Sequence, residues 1–147
     1  MKTKVLITSA GGPGAINMAR SLKMAGVSTV GCDASPFYLH LAETSSCELV
    51  PRWSDEDGFI EAINGLVHKH KVDFLFPNNS TEGEIFSRRR SELDVPIFLP
   101  APKTFLVGES KWASWQVWKE QGIPVPRTHL ITDKKSIQEI FDKISTR

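Results

Sequence analysis

Val5-Leu6-Ile7-Thr8-Ser9-Ala10-Gly11-Gly12-Pro13-Gly14 is the stretch that decides the fold. It starts with a short apolar run, as in a strand covered on both faces. Three glycines and a proline then break the run. From Ala15 the period changes: Ile16, Ala19 and Leu22 recur every three residues, a short helical stripe that Gly26 closes. A glycine-rich turn between strand and helix lets the backbone approach a ligand and aims free N–H groups at an anion.

Outward from this unit the same alternation continues. Val27 to Cys32 reads as a second strand ending on Asp33, and Cys47-Glu48-Leu49-Val50 before Pro51 as a third. Phe59, Ile60, Ile63 and Val67 share one helical face, with Ser54 as the expected N-cap and Asp55, Glu56 and Asp57 suiting the positive helix end. Val72 to Phe76 is a strand ended by Pro77; a helix from Thr81 to Leu93 and a strand Ile97-Phe98-Leu99 follow. Strands alternating with helices across short loops predict an α/β fold, an open parallel sheet with helices on both faces and right-handed crossovers.

The pattern changes after Leu99. Pro100 and Pro102 flank a turn, and Lys103 to Val107 reads as one helical turn. A helix from Ser110 to Gln121 stops at Gly122, and Ile123-Pro124-Val125-Pro126 is an extended connector because each proline biases its predecessor away from helix. Thr128 to Ile131 reads as a strand, and Asp133 to Ile144 as an amphipathic helix carrying Ile137, Ile140, Phe141 and Ile144 in register. A lone strand and helix cannot make an independent core. The expected division is therefore a first domain over residues 1–108 and an incomplete second segment over residues 109–147.

Composition narrows the function classes. The chain has 147 residues and a formal net charge of +1, which gives no reason to expect nucleic acid or an anionic membrane as partner. No stretch approaches the roughly 20 apolar residues of a membrane span. Cys32 and Cys47 show no CxxC spacing, and the Val5-Leu6-Ile7 run is too short for a signal-peptide core, so free thiols and a cytoplasmic location are expected. His68 and His70 stand two apart and point to different helix faces, so they do not chelate one metal; no HExxH motif, nucleophile elbow or Walker A loop appears. Arg88-Arg89-Arg90 reads as a solvated face.

Two clusters remain as candidates for binding. Gly11, Gly12 and Gly14 form the loop, and Asp33 lies 19 residues beyond Gly14, where nucleotide folds place a ribose-binding acid. The match to GxGxxG is partial: Asn17 replaces the third glycine and Pro13 removes an N–H. A ligand cradle and a tight turn packing the first helix on the sheet both account for the glycines. The second cluster, Asn78, Asn79 and Glu82, follows the fourth strand, where open α/β sheets line their ligand crevice. Capping of the next helix by Asn79 or Ser80 explains the same residues. Trp112, Trp115 and Trp118 lie three apart along one helix, a stripe expected to serve packing or to leave a partly exposed apolar patch.

Taken in order, four segments resemble a known family: Lys4 to Gly14, Val72 to Pro77, Ser110-Lys111 on a helix, and Gly122-Ile123-Pro124-Val125-Pro126-Arg127-Thr128. They resemble the N-terminal portion of ATP-grasp ligases, especially proteins similar to the large subunit of carbamoyl-phosphate synthase. The resemblance implies a Rossmann-like pre-ATP-grasp domain that helps form a substrate cleft, followed by the start of an ATP-grasp domain. It assigns the glycine loop to a substrate group or acyl-phosphate region and matches Glu82 to an acidic position of the family, while Asp33, Asn78 and Asn79 are candidate contacts to a carboxylate-type substrate from their place at the strand ends. Lys111 matches a lysine that in some members contacts ATP phosphate, although Ser110 replaces the aspartate before it and Ser80 stands where many relatives carry an acid.

The resemblance further implies ATP and magnesium as cofactors of a complete enzyme, with neither binding tightly to this chain alone. The adenine-binding strands and magnesium ligands would lie beyond Arg147, in a missing or separately encoded ATP-grasp half, and this chain alone would be inactive. Two other functions are compatible with the residues: a nicotinamide-dinucleotide-binding oxidoreductase domain using Asp33, and a non-catalytic docking subunit of a split enzyme.

Overall fold

The apolar run Lys4–Ile7 forms β1, an interior strand of a four-stranded parallel sheet. The structure, a computed structural model, describes residues 3–145. On one side β1 pairs with β2 (Ser28–Asp33), which carries β3 (Ser46–Leu49) at the edge; on the other it pairs with β4 (Phe74–Phe76). The strand order is β3-β2-β1-β4. The helices between them are α1 (Pro13–Met24), α2 (Pro36–Leu39) and α3 (Glu56–His70), and α4 (Ser80–Arg88) follows β4.

Alternation along β1 divides the core into two layers. Val5 and Ile7 pack with Ala15 and Ala19 of α1, whereas Leu6 packs with Phe59, Ile63, Ile85 and Phe86 of α3 and α4. The sheet is thus covered on both faces. Travel explains this: β1 to β2 and β3 to β4 cross the sheet in opposite directions, and connections of one hand must then fall on opposite faces. At the centre of the second layer the Phe59 and Phe86 rings stack with centroids 5.3 Å apart.

Several elements depart from the sequence expectation for local reasons. The N-cap of α3 is Asp55, whose carboxylate accepts the Gly58 N–H at 3.1 Å, and not Ser54. The helix expected over Thr81–Leu93 ends at Arg88 and gives way to a 3-10 turn, Arg90–Glu92. Two carbonyls beyond that turn, those of Leu99 and Pro100, accept from the Arg90 guanidinium. Arg88 and Arg90 are exposed, as expected of a solvated face, while Arg88 and Arg89 also pair with Glu56, Asp57 and Glu92. Ile97-Phe98-Leu99 makes only an isolated parallel bridge, Leu75 to Ile97, with Ile97 and Leu99 against the core and Phe98 exposed. α2 went unforeseen although its signals were present, Ser35 as N-cap and Pro36 in the first turn.

The chain divides into two compact units, Met1–Phe105 and Leu106–Arg147, the division falling within α5 (Pro102–Glu109). The second unit contains α6 (Lys111–Glu120) and α7 (Ser136–Ser145). Ser110 caps α6 through the Ala113 N–H, and Gly122, at φ +71°, ends it in the left-handed region that suits glycine. Trp112 and Trp115 stack at 4.8 Å, Lys119 lies over the Trp115 ring, and the Trp115 indole N–H donates to the Pro126 carbonyl. Thr128–Ile131 forms no strand, since no ladder partner reaches it, and α7 starts at Ser136 after a turn in which Asp133 accepts from Lys135 and Ser136. Among the described residues of this unit no apolar side chain is buried.

Candidate functional site

β1 leads by way of α1 to β2 on one side, while β4 pairs on its other side, so the sheet has a topological switch point at β1. Open α/β sheets bind ligands outside the carboxyl ends of their strands at such a point. A cavity of about 340 Å³ lies there, lined from all four strand ends. β1 contributes Ser9, Gly12 and Pro13; the β2 end contributes Asp33, Ala34, Ser35 and Tyr38; Arg52 and Trp53 follow β3; Asn78, Asn79 and Glu82 follow β4. The volume falls at the lower end of small-ligand pockets.

Glu82 is the most buried charged group of the site, 4% exposed. Its two carboxylate oxygens accept from the Thr8 hydroxyl at 2.7 Å and the Ser9 hydroxyl at 2.9 Å, tying α4 to the end of β1. Burial pushes its carboxyl above the ordinary value; the two hydroxyl donors oppose the shift and nearby Asp33 adds to it. Ser9 itself adopts φ +46°, left-handed backbone rarely seen in a residue with a side chain. The Glu82 hydrogen bond is one of the contacts that hold it there.

Asp33 is also buried, and both its oxygens are engaged: Oδ2 accepts the Gly11 N–H at 3.2 Å and Oδ1 the Ser35 N–H at 2.9 Å. Asn79 is the N-cap of α4, accepting from Thr81 and Glu82, so the capping reading of that residue holds alongside its place in the cavity wall. Asn78 lies across the glycine loop. Its Nδ2 donates to the Ser9 carbonyl at 3.4 Å, and a Cβ added at Gly14 would stand 2.6 Å from its Oδ1. At Gly11 a Cβ would fall 2.0 Å from the Tyr38 carbonyl oxygen. The chain's own atoms therefore account for these glycines, and the Gly11 and Gly12 N–H groups are already spent on Asp33 and on the Ser9 carbonyl.

Of the residues singled out from the sequence, Gly12, Asp33, Asn78, Asn79 and Glu82 meet around the cavity. Gly11 and Gly14 shape the loop without lining it. Lys111 lies in the second unit, in the first turn of α6, with its side chain exposed. Sequence reasoning passed over Tyr38, Arg52 and Trp53. The last two carried a usable signal, since they follow Pro51 at the end of a strand. Arg52 is exposed and, among the described residues, has no carboxylate within ion-pair distance.

Other reactive groups are engaged elsewhere. Cys32 is fully buried and its thiol pushed well up by that burial; Cys47, half-buried, is pushed up to about 11. Neither is an activated nucleophile. His68 pairs with Asp94 and His70 with Glu48, on separate partners as their spacing requires. No group of three or more His, Cys, Asp or Glu among the described residues is placed to hold a metal ion. No described helix is long and apolar enough to cross a membrane.

No family model matches the sequence, nor does any curated protein. Solved structures do match. The L-amino acid ligase from Bacillus licheniformis superposes with a TM-score of 0.65 at 11% identity, over 98% of this chain and 42% of that one. N5-carboxyaminoimidazole ribonucleotide synthetase from Thermotoga maritima gives 0.61 at 19%, over 96% of this chain and 36% of that one. The biotin carboxylase domain of Hydrogenobacter thermophilus 2-oxoglutarate carboxylase, solved with MgADP, ADP and bicarbonate, gives 0.57 at 22%, over 99% and 34%. These neighbours are ATP-grasp ligases, and at such identities the likeness establishes a shared fold. This chain spans less than half the length of each.

Proposed function

We propose that this chain is the substrate-side part of an ATP-dependent ligase of the ATP-grasp superfamily, in which residues 1–108 act as a pre-ATP-grasp domain and residues 109–147 begin the ATP-grasp domain. The observation that carries the reading is the cavity that gathers Asp33, Asn78, Asn79 and Glu82 at the switch point of a sheet whose fold is shared with ATP-grasp ligases. In a complete enzyme, ATP would activate a carboxylate as an acyl-phosphate, and magnesium would neutralise charge during phosphoryl transfer. The described residues offer no cluster fit to hold that metal, so no magnesium-dependent step is assigned to this chain. Its contribution is to bind and orient a small molecule. A carboxylate-type substrate and a missing or separately encoded ATP-binding half are the expected partners, with carbamoyl-phosphate-synthase-like chemistry as the finer form of the reading.

A nicotinamide-dinucleotide site is less well supported by the geometry. Asn78 covers the loop where a pyrophosphate would approach, and the Gly11 and Gly12 N–H groups that would face it are spent on Asp33 and on the Ser9 carbonyl. A non-catalytic docking subunit of a split enzyme is the other reading, in which the tryptophan helix α6 meets a separately encoded partner.

Calorimetric titration with MgATP tests the proposal: the chain alone is expected to show no tight binding and no turnover. Micromolar affinity with ATP hydrolysis would overturn it, as would micromolar NAD(H) binding abolished by Asp33→Ala. The DNA that follows the Arg147 codon gives the complementary test. ATP-binding segments of the superfamily are expected there, in frame or in the next gene; an unrelated domain joined in frame would count against the reading.

A further inference from the structure

The cavity lining carries opposite charges, Asp33 and Arg52. Asp33 ends β2 opposite Leu49, the last residue of the neighbouring strand β3, and Arg52 follows three residues further on, so both groups reach the same cavity from adjacent strand ends. They are not paired with each other. Arg52 has no ion-pair partner among the described residues, and a guanidinium that lines a cavity offers up to five N–H donors in a fixed fork. Asp33 uses one acceptor site on each oxygen for the Gly11 and Ser35 N–H groups, which leaves further lone pairs for a donor inside the cavity.

Two aromatic side chains line the same cavity. Tyr38, 47% exposed, and Trp53, 43% exposed, add large apolar surfaces to a lining that also holds Pro13, Ala34 and the polar groups. Exposed aromatics cost solvation unless something covers them, and at a binding site they supply contact area at little entropic cost. Neither ring packs into the core layers of the sheet.

We infer that the cavity takes a zwitterionic small molecule of amino-acid to dipeptide size, its acid held by Arg52, its amine by Asp33, and an apolar side chain laid against Trp53 and Tyr38. This rests on the proposed substrate-side role and supplies its ligand class. A simple carboxylate would leave Asp33 facing a group with nothing to donate. A simple amine would leave Arg52 without an acceptor. The zwitterion satisfies both, and the cavity volume accommodates it.

Three probes separate the contributions on the full chain: L-phenylalanine, 3-phenylpropanoate, which lacks the amine, and phenethylamine, which lacks the acid. Binding is read from the Trp53 indole N–H resonance, assigned by its loss in Trp53→Phe. Phenylalanine is expected to shift that resonance and to bind about tenfold more tightly than either truncated probe, the effect of one charge-assisted hydrogen bond. Arg52→Gln, an exposed substitution whose fold is to be checked by circular dichroism, is expected to erase the advantage of phenylalanine over phenethylamine while keeping its advantage over 3-phenylpropanoate. Equal binding of phenylalanine and phenethylamine would overturn the inference. So would unchanged phenylalanine affinity in Arg52→Gln, or a Trp53 resonance that none of the three moves at millimolar concentration. The nucleotide titration and the downstream reading frame are independent of these probes, so the ligand class can fail while the ligase reading stands.

Discussion

Glu82 shows what one residue does here and what only its surroundings reveal. On the sequence it is an acid in the first turn of a helix, a position the helix dipole favours. In the fold it receives two hydroxyl donors from the end of β1, 73 and 74 residues away, and it is nearly sealed from water. Its carboxyl is raised above its ordinary value of 4.5, mainly by burial. A raised acid binds its proton more tightly when folded, so its stabilising contribution is complete below about pH 4.5 and is lost as pH rises through the folded value. The sign gives a specific expectation. Relative to the unmodified chain, Glu82→Gln should gain stability between pH 4.5 and neutrality, seen as a growing difference in urea midpoint. Glu82→Ala instead leaves the Thr8 and Ser9 donors unsatisfied and should cost about 1–3 kcal/mol near pH 4.5, a cost that shrinks as the parent loses its own contribution at higher pH. A flat difference between Gln variant and parent would show that Glu82 titrates normally.

At the scale of elements, the glycine-rich strand–loop–helix performs a packing task that the sequence left open. Its alternatives were a ligand cradle and a tight turn. The atoms facing the glycines belong to the protein: the Tyr38 carbonyl at Gly11 and the Asn78 side chain at Gly14. Those two neighbours differ in how far they can yield. Backbone cannot swing away, so Gly11→Ala should cost about 3 kcal/mol or prevent folding, at the upper end of overpacking penalties. A side chain can be removed, so Gly14→Ala should cost about 1–2 kcal/mol and Asn78→Ala should restore most of it. Chemical denaturation of the two single variants and the double variant measures this coupling. Additive effects of Gly14→Ala and Asn78→Ala would contradict the contact. The caps were partly readable by the same local logic: Asn79 was one of two candidates for α4, whereas α3 uses Asp55 in place of its neighbour Ser54. One residue of backbone phase decides between adjacent capping groups, and a sequence does not display that phase.

For the whole molecule, the two units differ in how they are held. The first buries two apolar layers against the sheet, while among the described residues the second buries no apolar side chain. Local stability follows buried contact. Amide hydrogen exchange should therefore report protection of β1, β2 and α3 near the global unfolding free energy, and exchange orders of magnitude faster across α7, where Ile137, Phe141 and Ile144 are exposed. Equal protection in both units would mean that the second unit is held as firmly as the first. The strand expected at Thr128–Ile131 belongs to this scale as well. Its residues suit a strand, but a strand exists only when another chain segment accepts its hydrogen bonds.

Periodicity and punctuation determined most of the first unit from sequence. Apolar runs that pack on both faces, helical stripes and glycine or proline stops are local properties, so the strand–helix alternation, the parallel sheet and the cluster of polar residues at its strand ends were legible. Tertiary structure alone decided which of those polar groups face one another. It joined Glu82 to Thr8 and Ser9, turned Asn78 over the loop, and brought Tyr38, Arg52 and Trp53 into one wall with Asp33. The reason is geometric: strand order, not sequence order, sets which loops are neighbours, and the switch at β1 places the end of β4 beside a loop that precedes it by more than sixty residues.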